Sequence, residues 1–437
     1  MDVNLVEVTH YAHLVLIVFL IGYLAIIIEE TIKFNKGAAA LLMAIACWTI
    51  LFEEPAESAD RHLYIFSFQM FKVSQIIFFL IGALIIVEII NAHRGFHIIT
   101  RFLMVRSKQK MLWLTGFFTF FLSSVLDNLT TTIVMISMMS KLIPEKEERY
   151  MLGGIIVIAA NVGGAWTPIG DVATTLLWIN EQITTWPTIR DLFLPSLSGL
   201  VACLLWFSPK FKGQFVRDAT ADEFLDKPIE PGGTLVLILG ICLLIFVPIL
   251  KILTNLPPFM GMMLGVGILW VVTDLMHSPF KERQHLRVTA ILPRIDMTVI
   301  LFYLGVLLAV NALESAGLLK QAAQWLNLHV NNLAVIPILI GLVSSLVDNV
   351  SLLAATIGMF KNDPIPPDSF FWQTIAYAAG TGGSILIIGS AAGVALMALE
   401  RVSFMWYLKK ITIPSLLTFS IGIICYFLLS PFTKIIF

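Results

Sequence analysis

The chain has 437 residues, 58% of them hydrophobic and 13% charged, about half the charged share of a soluble domain; its mean hydropathy of +0.89 excludes a water-soluble globule. With 28 basic and 29 acidic residues the net charge is −1, which gives no sign of a nucleic-acid partner or a charged tail. Apolar residues gather into runs such as 14–28, 76–90, 235–250 and 411–429, near the length that crosses a hydrocarbon core as a helix. The chain therefore reads as an all-α polytopic membrane protein.

In chain order, crossings are predicted at 14–29, 37–52 and 73–91. The first run starts close to Met1 without a basic leader or a small-residue cleavage site, so it reads as a retained helix and not a removed signal or transit peptide. Residues 92–110 are mixed in character and read as interfacial. The stretch 111–140 is too long for one comfortable helix and carries a polar cluster in its middle, as expected of a re-entrant hairpin with a buried tip. Residues 149–177, interrupted by Gly163, Gly164 and Pro168, predict a broken helix, and 192–208 a further crossing. At 209–231 the composition switches to Lys, Asp, Glu, Pro and Gly, the one evident linker. Crossings follow at 232–250, 259–275 and 297–312, then an interfacial segment at 313–329, a second hairpin at 331–360, a broken helix at 371–398 and a last crossing at 411–430. The expectation is ten crossings, two of them broken, plus two re-entrant hairpins. Cys47, Cys203, Cys242 and Cys425 all lie in apolar runs without metal spacing and read as free packing or lipid-facing thiols. The Met and Phe stripes read as lipid-facing bulk.

An internal repeat flanks the linker. Phe79–Val87 resembles Phe302–Val310, Ser123-Ser124-Val125-Leu126-Asp127-Asn128 recurs as Ser344-Ser345-Leu346-Val347-Asp348-Asn349, and Ala159-Ala160-Asn161-Val162-Gly163-Gly164 recurs as Ala378-Ala379-Gly380-Thr381-Gly382-Gly383. The offsets, 223, 221 and 219 residues, drift slowly and in order. The halves are thus 1–208 and 232–437. Five crossings per half is an odd number, so the second half enters with opposite orientation and the repeat is inverted.

Basic residues test this topology, because Lys and Arg accumulate in cytoplasmic loops. One face collects Lys33 and Lys36, Arg94 to Arg149, Lys210 to Lys227, Lys281 to Arg294, and Arg401, Lys409 and Lys410, an excess of roughly three to one over the other face. That face is read as cytoplasmic, with the linker on it and both termini external. The first hairpin then enters from the cytoplasm and the second from outside, with tips that can meet near the midplane.

Ionisable groups at that depth are costly, about 2.5–3.5 kcal/mol on insertion scales, so each needs a reason. Asp127 and Asp348 sit at the hairpin tips, each followed by Asn128 or Asn349 and preceded by a Ser-Ser pair; Asp171 follows the interruption at Gly163–Gly170. Carboxylate, amide, hydroxyl and unwound carbonyl oxygens suit a hard cation. A carboxylate in a low-dielectric setting favours its neutral form, so protons and a cation would compete for one site, and that competition can couple two fluxes. Against this stand simpler readings. An Asp-Asn pair also caps a half-helix, and paired glycines also let helices pack closely; the symmetric duplication of the tips favours function. Asp171 is matched by Ser390 in the repeat, so its charge is not required by the fold. Thr167, Asn161, Ser123 and Ser344 read equally as cation ligands or as interhelical hydrogen bonders. Glu88 and Glu314 lie at span ends and read as solvated. His93 and His97 follow the third crossing and read as interfacial basic residues before pH sensors; the other histidines form no cluster.

At these residues the chain resembles a family. Ser123–Thr132, then Asn161–Asp171, then Ser344–Asn349 and Gly389–Ala395 are similar over nearly the whole chain to the NhaD-type sodium/proton antiporters of the ion-transporter superfamily. The resemblance implies exchange of cytoplasmic Na⁺ or Li⁺ for external protons across the cell (inner) membrane, with no cofactor. It nominates Asp127, Asp171 and Asp348, supported by Asn128, Asn161, Asn349, Ser123, Ser344 and Thr167, and places Na⁺ at Asp127, Asn128, Asp171, Asp348 and Asn349. It further implies a homodimer in the bilayer, whose hairpins and broken helices slide as an elevator against a scaffold. Related anion/sodium symporters carry Ser-Asn-Thr at the hairpins where this chain has Asp-Asn-Leu and Asp-Asn-Val, which favours a cation. The second half departs at Leu386-Ile387, which replaces Thr167-Pro168. Rival readings are an anion symporter or oxyanion exporter of the same superfamily, an intramembrane aspartyl protease, which would lack its Gly-x-Gly-Asp pattern here, and a passive channel.

Overall fold

The computed structural model describes residues 11–27, 35–53, 59–96, 105, 107–143, 145–215, 229–330, 332–346, 348–361 and 365–433. His97, linker residues 216–228 and the chain ends lie outside them. All named elements are helical. The first half comprises α1 (Ala12–Ile27), α2 (Lys36–Phe52), α3 (Ala59–Ala92), α4 (Lys108–Ser123), α5 (Asn128–Leu142), α6 (Lys146–Gly164), α7 (Val172–Ile179) and α8 (Thr185–Phe207). The second comprises α9 (Gly233–Thr254), α10 (Pro258–His277), α11 (Met297–Ser315), α12 (Leu318–Val330), α13 (Val335–Val343), α14 (Asn349–Phe360), α15 (Phe370–Gly382), α16 (Ala391–Glu400), α17 (Phe404–Lys410) and α18 (Thr412–Thr433).

Among the described residues six helices, α3, α8, α9, α10, α11 and α18, are long and apolar enough to cross a membrane, and the pair α16–α17, bent by 117°, makes a seventh if counted as one span. The difference from ten expected crossings has a physical origin. α1 and α2 are apolar but only 16 and 17 residues long, and the two broken crossings are divided into α6 with α7 and α15 with α16, whose halves are short or begin with charge. Conversely α3 has 34 residues, about 51 Å of helix. It begins well before the predicted 73, because Asp60, Arg61 and Lys72 interrupt the hydropathy without interrupting the helix.

The helices pack as two bodies. In one, α11 lies along α2, α1 along α2, and α10 against both α3 and α9; Trp48 on α2 donates its indole N–H to the Leu308 carbonyl on α11 at 2.9 Å. In the other, α4 and α5 pack on α6, α13 packs on α15, α5 on α16, and α8 on α18. Contacts between the bodies include α11 and α12 against α14 and α3 against α7. Polar contacts also bridge them. Lys251 of α9 donates to the Trp178 carbonyl of α7 at 3.0 Å and sits 4.6 Å from its ring centroid, and Lys361 pairs with Glu314. Glu314 remains part-exposed in that pair, at the end of its helix.

Both predicted hairpins and both helix breaks are present. The first hairpin turns between α4 and α5, the second between α13 and α14, and breaks separate α6 from α7 and α15 from α16. The repeat appears in their packing. A Cβ at position 163 would overlap the Phe120 carbonyl of the first hairpin, and one at 382 would overlap the Gly341 carbonyl of the second. These glycines are close-packing contacts, which bring each hairpin's backbone onto its broken helix. Phe120, Phe207, Phe360, Met135 and Met139 are buried core residues, correcting the expectation that these side chains face lipid. All four cysteines are free.

Gly163→Ala and Gly382→Ala should each cost about 1–3 kcal/mol by overpacking a rigid carbonyl. Gly267→Ala, which would meet nothing within 4 Å, should be neutral or slightly stabilising. Thermal unfolding of the three variants in detergent measures the contrast.

Candidate functional site

Each expected aspartate begins a half-helix. Asp127 caps α5, accepting from the Thr130 N–H at 2.9 Å and the Thr130 hydroxyl at 2.6 Å. Asp348 caps α14, accepting from the Ser351 N–H at 3.3 Å and its hydroxyl at 3.2 Å. Asp171 caps α7, accepting from the Ala173 N–H at 3.1 Å. Its repeat mate Ser390 caps α16 from the Gly393 N–H at 3.3 Å, and the two cap residues share a backbone conformation, φ −141° and ψ 141° against φ −142° and ψ 153°. Capping is thus real at all three aspartates. A helix N-terminus also presents partial positive charge that favours the ionised carboxylate, while the apolar surroundings oppose it.

The two serine pairs tie the tips down symmetrically. Ser123 donates to the Ala160 carbonyl at 2.7 Å and Ser344 to Ala379 at 2.8 Å; Ser124 and Ser345 each donate to a carbonyl three residues back at 2.7 Å. Thr167 donates to the Ser124 carbonyl at 2.6 Å, a bond for which Leu386 has no hydroxyl. All five hydroxyl hydrogens are therefore committed to backbone, though the oxygens keep lone pairs.

The asparagines connect the halves. Asn349 of the second hairpin donates to Asp171 of the first half at 3.0 and 3.3 Å. Asn128 of the first hairpin donates to Asn161 at 2.8 Å, and Asn161 in turn donates to Ser384 at 2.8 Å and Ser390 at 2.9 Å. Each hairpin amide thereby reaches the cap of the opposite half's broken helix, directly at Asp171 and through Asn161 at Ser390. The mate of Asn161 is Gly380, where a Cβ would stand 3.3 Å from an Asp171 carboxylate oxygen, so a larger residue would crowd the only buried carboxylate at the breaks.

The three aspartates are not gathered into one cluster: among the described residues no three His, Cys, Asp or Glu side chains converge as metal ligands. Asp171 is 1% exposed. Asp348 and Ser390, with Tyr23, Lys36, Asp296 and Tyr303, line a cavity of about 640 Å³, while Asp127 faces one of about 40 Å³ that Tyr303 also lines. The larger cavity opens beside the N-terminal ends of α2 and α11, the face on which α9 begins after the linker. Asn349, which holds Asp171, follows Asp348 directly in the chain.

Sequence reasoning missed Ser384, Gly380, Tyr23 and Tyr303. Tyr303 had a signal, since the repeat places Leu80 opposite it; Ser384 likewise stands where the first half has Ala165. The hydroxyls of Thr131 and Thr132, in the first hairpin, are buried without a hydrogen-bond partner. His93 is not interfacial. It is fully buried, and its Nδ1 lies 2.7 Å from the Ile89 carbonyl, which can only accept, so Nδ1 carries the hydrogen and Nε2 accepts from His277 Nε2 at 3.0 Å.

The model of the citrate transporter family matches residues 23–372, most of the chain and every element of the site up to the start of the second break. The chain belongs to this family. It is therefore a transporter, and its relatives agree. Sodium/proton antiporter 1 and sodium/proton antiporter 2 of Arabidopsis thaliana are 48% and 46% identical over 94% of this chain, covering 71% and 98% of their own lengths. The Na⁺/H⁺ antiporter NhaD of Vibrio cholerae is 27% identical over 98% of this chain and 94% of its own.

In this transporter Asn161→Ala would remove the partner of two buried groups, on Asn128 and Ser384, and leave Ser390 only its Gly393 N–H; it should cost about 1–3 kcal/mol for each group left unpaired. Asn161→Asp would retain an acceptor but bring a second carboxylate between the two halves. Melting temperature should fall for the alanine variant, and the aspartate variant should melt progressively lower as pH rises and its carboxylate ionises.

Proposed function

We propose that the protein exchanges cytoplasmic Na⁺ or Li⁺ for external protons by alternating access, through ten crossings and two re-entrant hairpins arranged as an inverted repeat. The observation that carries the reading is Asp171, a lone carboxylate buried at a helix break, held by an amide from the opposite repeat and lying behind a cavity that Asp348 lines. The names of the relatives, sodium/proton antiporters at close to half identity, support the same substrate pair.

In this reading the carboxylate site crosses the membrane when protonated or cation-loaded and not when empty and charged, because uncompensated carboxylates are costly to carry through an apolar barrier. Asp171, aided by Asn349, holds the competing proton or cation, Asp348 meets it in the cavity, and Asp127 occupies the symmetric tip. The neutral oxygens of Asn128, Asn161, Ser123, Ser344 and Thr167 fix the tips and breaks. The carrier is the body of hairpins and broken helices, which slides against the body of α1–α3 and α9–α11; a dimer through that second body would give it a fixed frame. The linker is cytoplasmic and both termini are external.

A second reading, a sodium-coupled anion symporter, is favoured by the description of the family model and by Lys36 in the cavity wall. The carboxylates lining the cavity and lying behind it oppose an anionic substrate. Everted vesicles with a pH dye separate the two: Na⁺ or Li⁺ added alone should collapse an imposed proton gradient, whereas the second reading requires Na⁺-dependent citrate uptake.

Three further outcomes follow. Asp127→Asn and Asp348→Asn should each reduce exchange at least ~10-fold while the protein still inserts; wild-type rate and affinity would leave that aspartate a cap alone. Apparent Na⁺ affinity should fall as pH drops, since protons take the same carboxylate, and Asp171→Asn should bind Na⁺ weakly with most of that dependence lost, read by flux at several pH values. A lone cysteine placed in the 209–231 linker should resist an impermeant reagent in intact cells, while one at Asn255 should react.

A further inference from the structure

We propose that Tyr23 is a positioning residue for Asp348, a hydroxyl contributed by the stationary body that holds the tip of the second hairpin only while the cavity is open to the linker face. The inference rests on the alternating-access reading above and adds a residue that the aspartate and asparagine motifs do not contain.

Tyr23 belongs to α1, which packs on α2 and, more lightly, on α11. Its ring is stacked on Phe19 with centroids 5.7 Å apart, so the orientation of the phenol is set within α1. The hydroxyl oxygen accepts the backbone N–H of Asp348 at 3.1 Å. That N–H belongs to the cap residue of α14, a helix of the other body, so the bond crosses the boundary between bodies near its polar centre. Tyr23 and Asp348 together line the cavity of about 640 Å³, and on its other side Tyr23 lines an apolar groove with Phe19, Leu352 and Met359. The phenol therefore stands where the polar entrance gives way to an apolar wall. Amphipathic side chains suit such a position, with the ring on the apolar side and the hydroxyl on the polar one.

The consequence is geometric. A backbone N–H in a low-dielectric interior needs a partner, and here that partner is supplied across a sliding boundary. When the second hairpin moves relative to α1, the bond breaks and Asp348 leaves the wall that Tyr23 helps to form. Tyr23 acts through Asp348: it fixes the tip backbone, and thereby the direction from which the carboxylate meets the cavity. Removing the hydroxyl weakens one of the two facing states and not the other.

The test is Tyr23→Phe, which keeps the ring and its stack on Phe19. Na⁺/H⁺ exchange is measured in right-side-out and everted vesicles, so that apparent Na⁺ KM is read from each face. Loss of one hydrogen bond should raise KM at the linker face ~3- to 10-fold and lower it at the opposite face, with no loss of inserted protein. A merely structural role would change both faces in the same direction; that result, or no change at all, overturns the proposal. Should Tyr23→Phe insert poorly, Tyr23→Cys with Leu346→Cys, a cavity-lining residue of the same hairpin tip, in a background lacking the native cysteines, provides a second reading. Cross-linking that pair should stop exchange and reduction should restore it, whereas undiminished exchange in the cross-linked protein shows that the boundary does not move there. Absence of any Na⁺-driven proton movement in the wild-type vesicles would instead remove the functional reading itself.

Discussion

The carboxylate of Asp171, buried at a helix break, constrains the groups around it. A carboxylate in an apolar interior must find donors or lose its charge, and two of the groups facing this one come from different places: the Ala173 N–H of its own half-helix and the Asn349 amide of the other repeat. Neither is available unless the helix breaks at the right residue and the opposite hairpin reaches the same depth. Glycines at 163 and 382, and at 170 and 389 beyond the breaks, let the hairpin backbone pass so close that a Cβ would have no room. Residues before and after the linker are thus joined by a short set of polar contacts, with apolar packing outside.

The repeat is approximate, and its departures are informative. Symmetric hydroxyl contacts at Ser123 and Ser344 carry the fold, so their identity in both halves needs no functional explanation. Among the positions that differ between halves are several at the candidate site: Asp171 against Ser390, Asn161 against Gly380, Tyr303 against Leu80. Asn161 fills on one side the space that Gly380 leaves open on the other, and the open space lies against the carboxylate. An asparagine at both positions would bring a third amide to Asp171 and crowd the position where a cation would sit.

Much of this was legible in the sequence. The helix interruptions at both hairpin tips and at both breaks follow from motifs that recur at nearly constant offset, and the three aspartates stand out because charge is scarce in apolar runs. Partners were not legible. Asn349 and Asp171 are 178 residues apart, His93 and His277 184, Tyr23 and Asp348 325, and no local pattern encodes such pairings. Hydropathy also fails where a helix outlasts its apolar segment, as at the start of α3, and where aromatic side chains pack inward, as Phe120 does between the first hairpin and the break. The capping reading and the functional reading of Asp127 and Asp348 were posed as alternatives from sequence; the structure makes the capping real without removing the exposure of both carboxylates to cavities.

Those two facts belong together. A carboxylate that caps a half-helix is oriented by backbone N–H groups that do not titrate, so its second oxygen and its remaining lone pairs are presented in a fixed direction whether or not a proton or cation is bound. In water such orientation would contribute little, because solvent would screen it. At the tip of a hairpin buried in an apolar body, the dipole of the half-helix is little screened, and it lowers the cost of the ionised state relative to an uncapped carboxylate at the same depth. Without the cap, burial would favour the neutral acid; with a fixed basic partner, the charge would be held too firmly to exchange. A capped aspartate at a helix break occupies the range between them, and that range is what an exchanger of like charges requires.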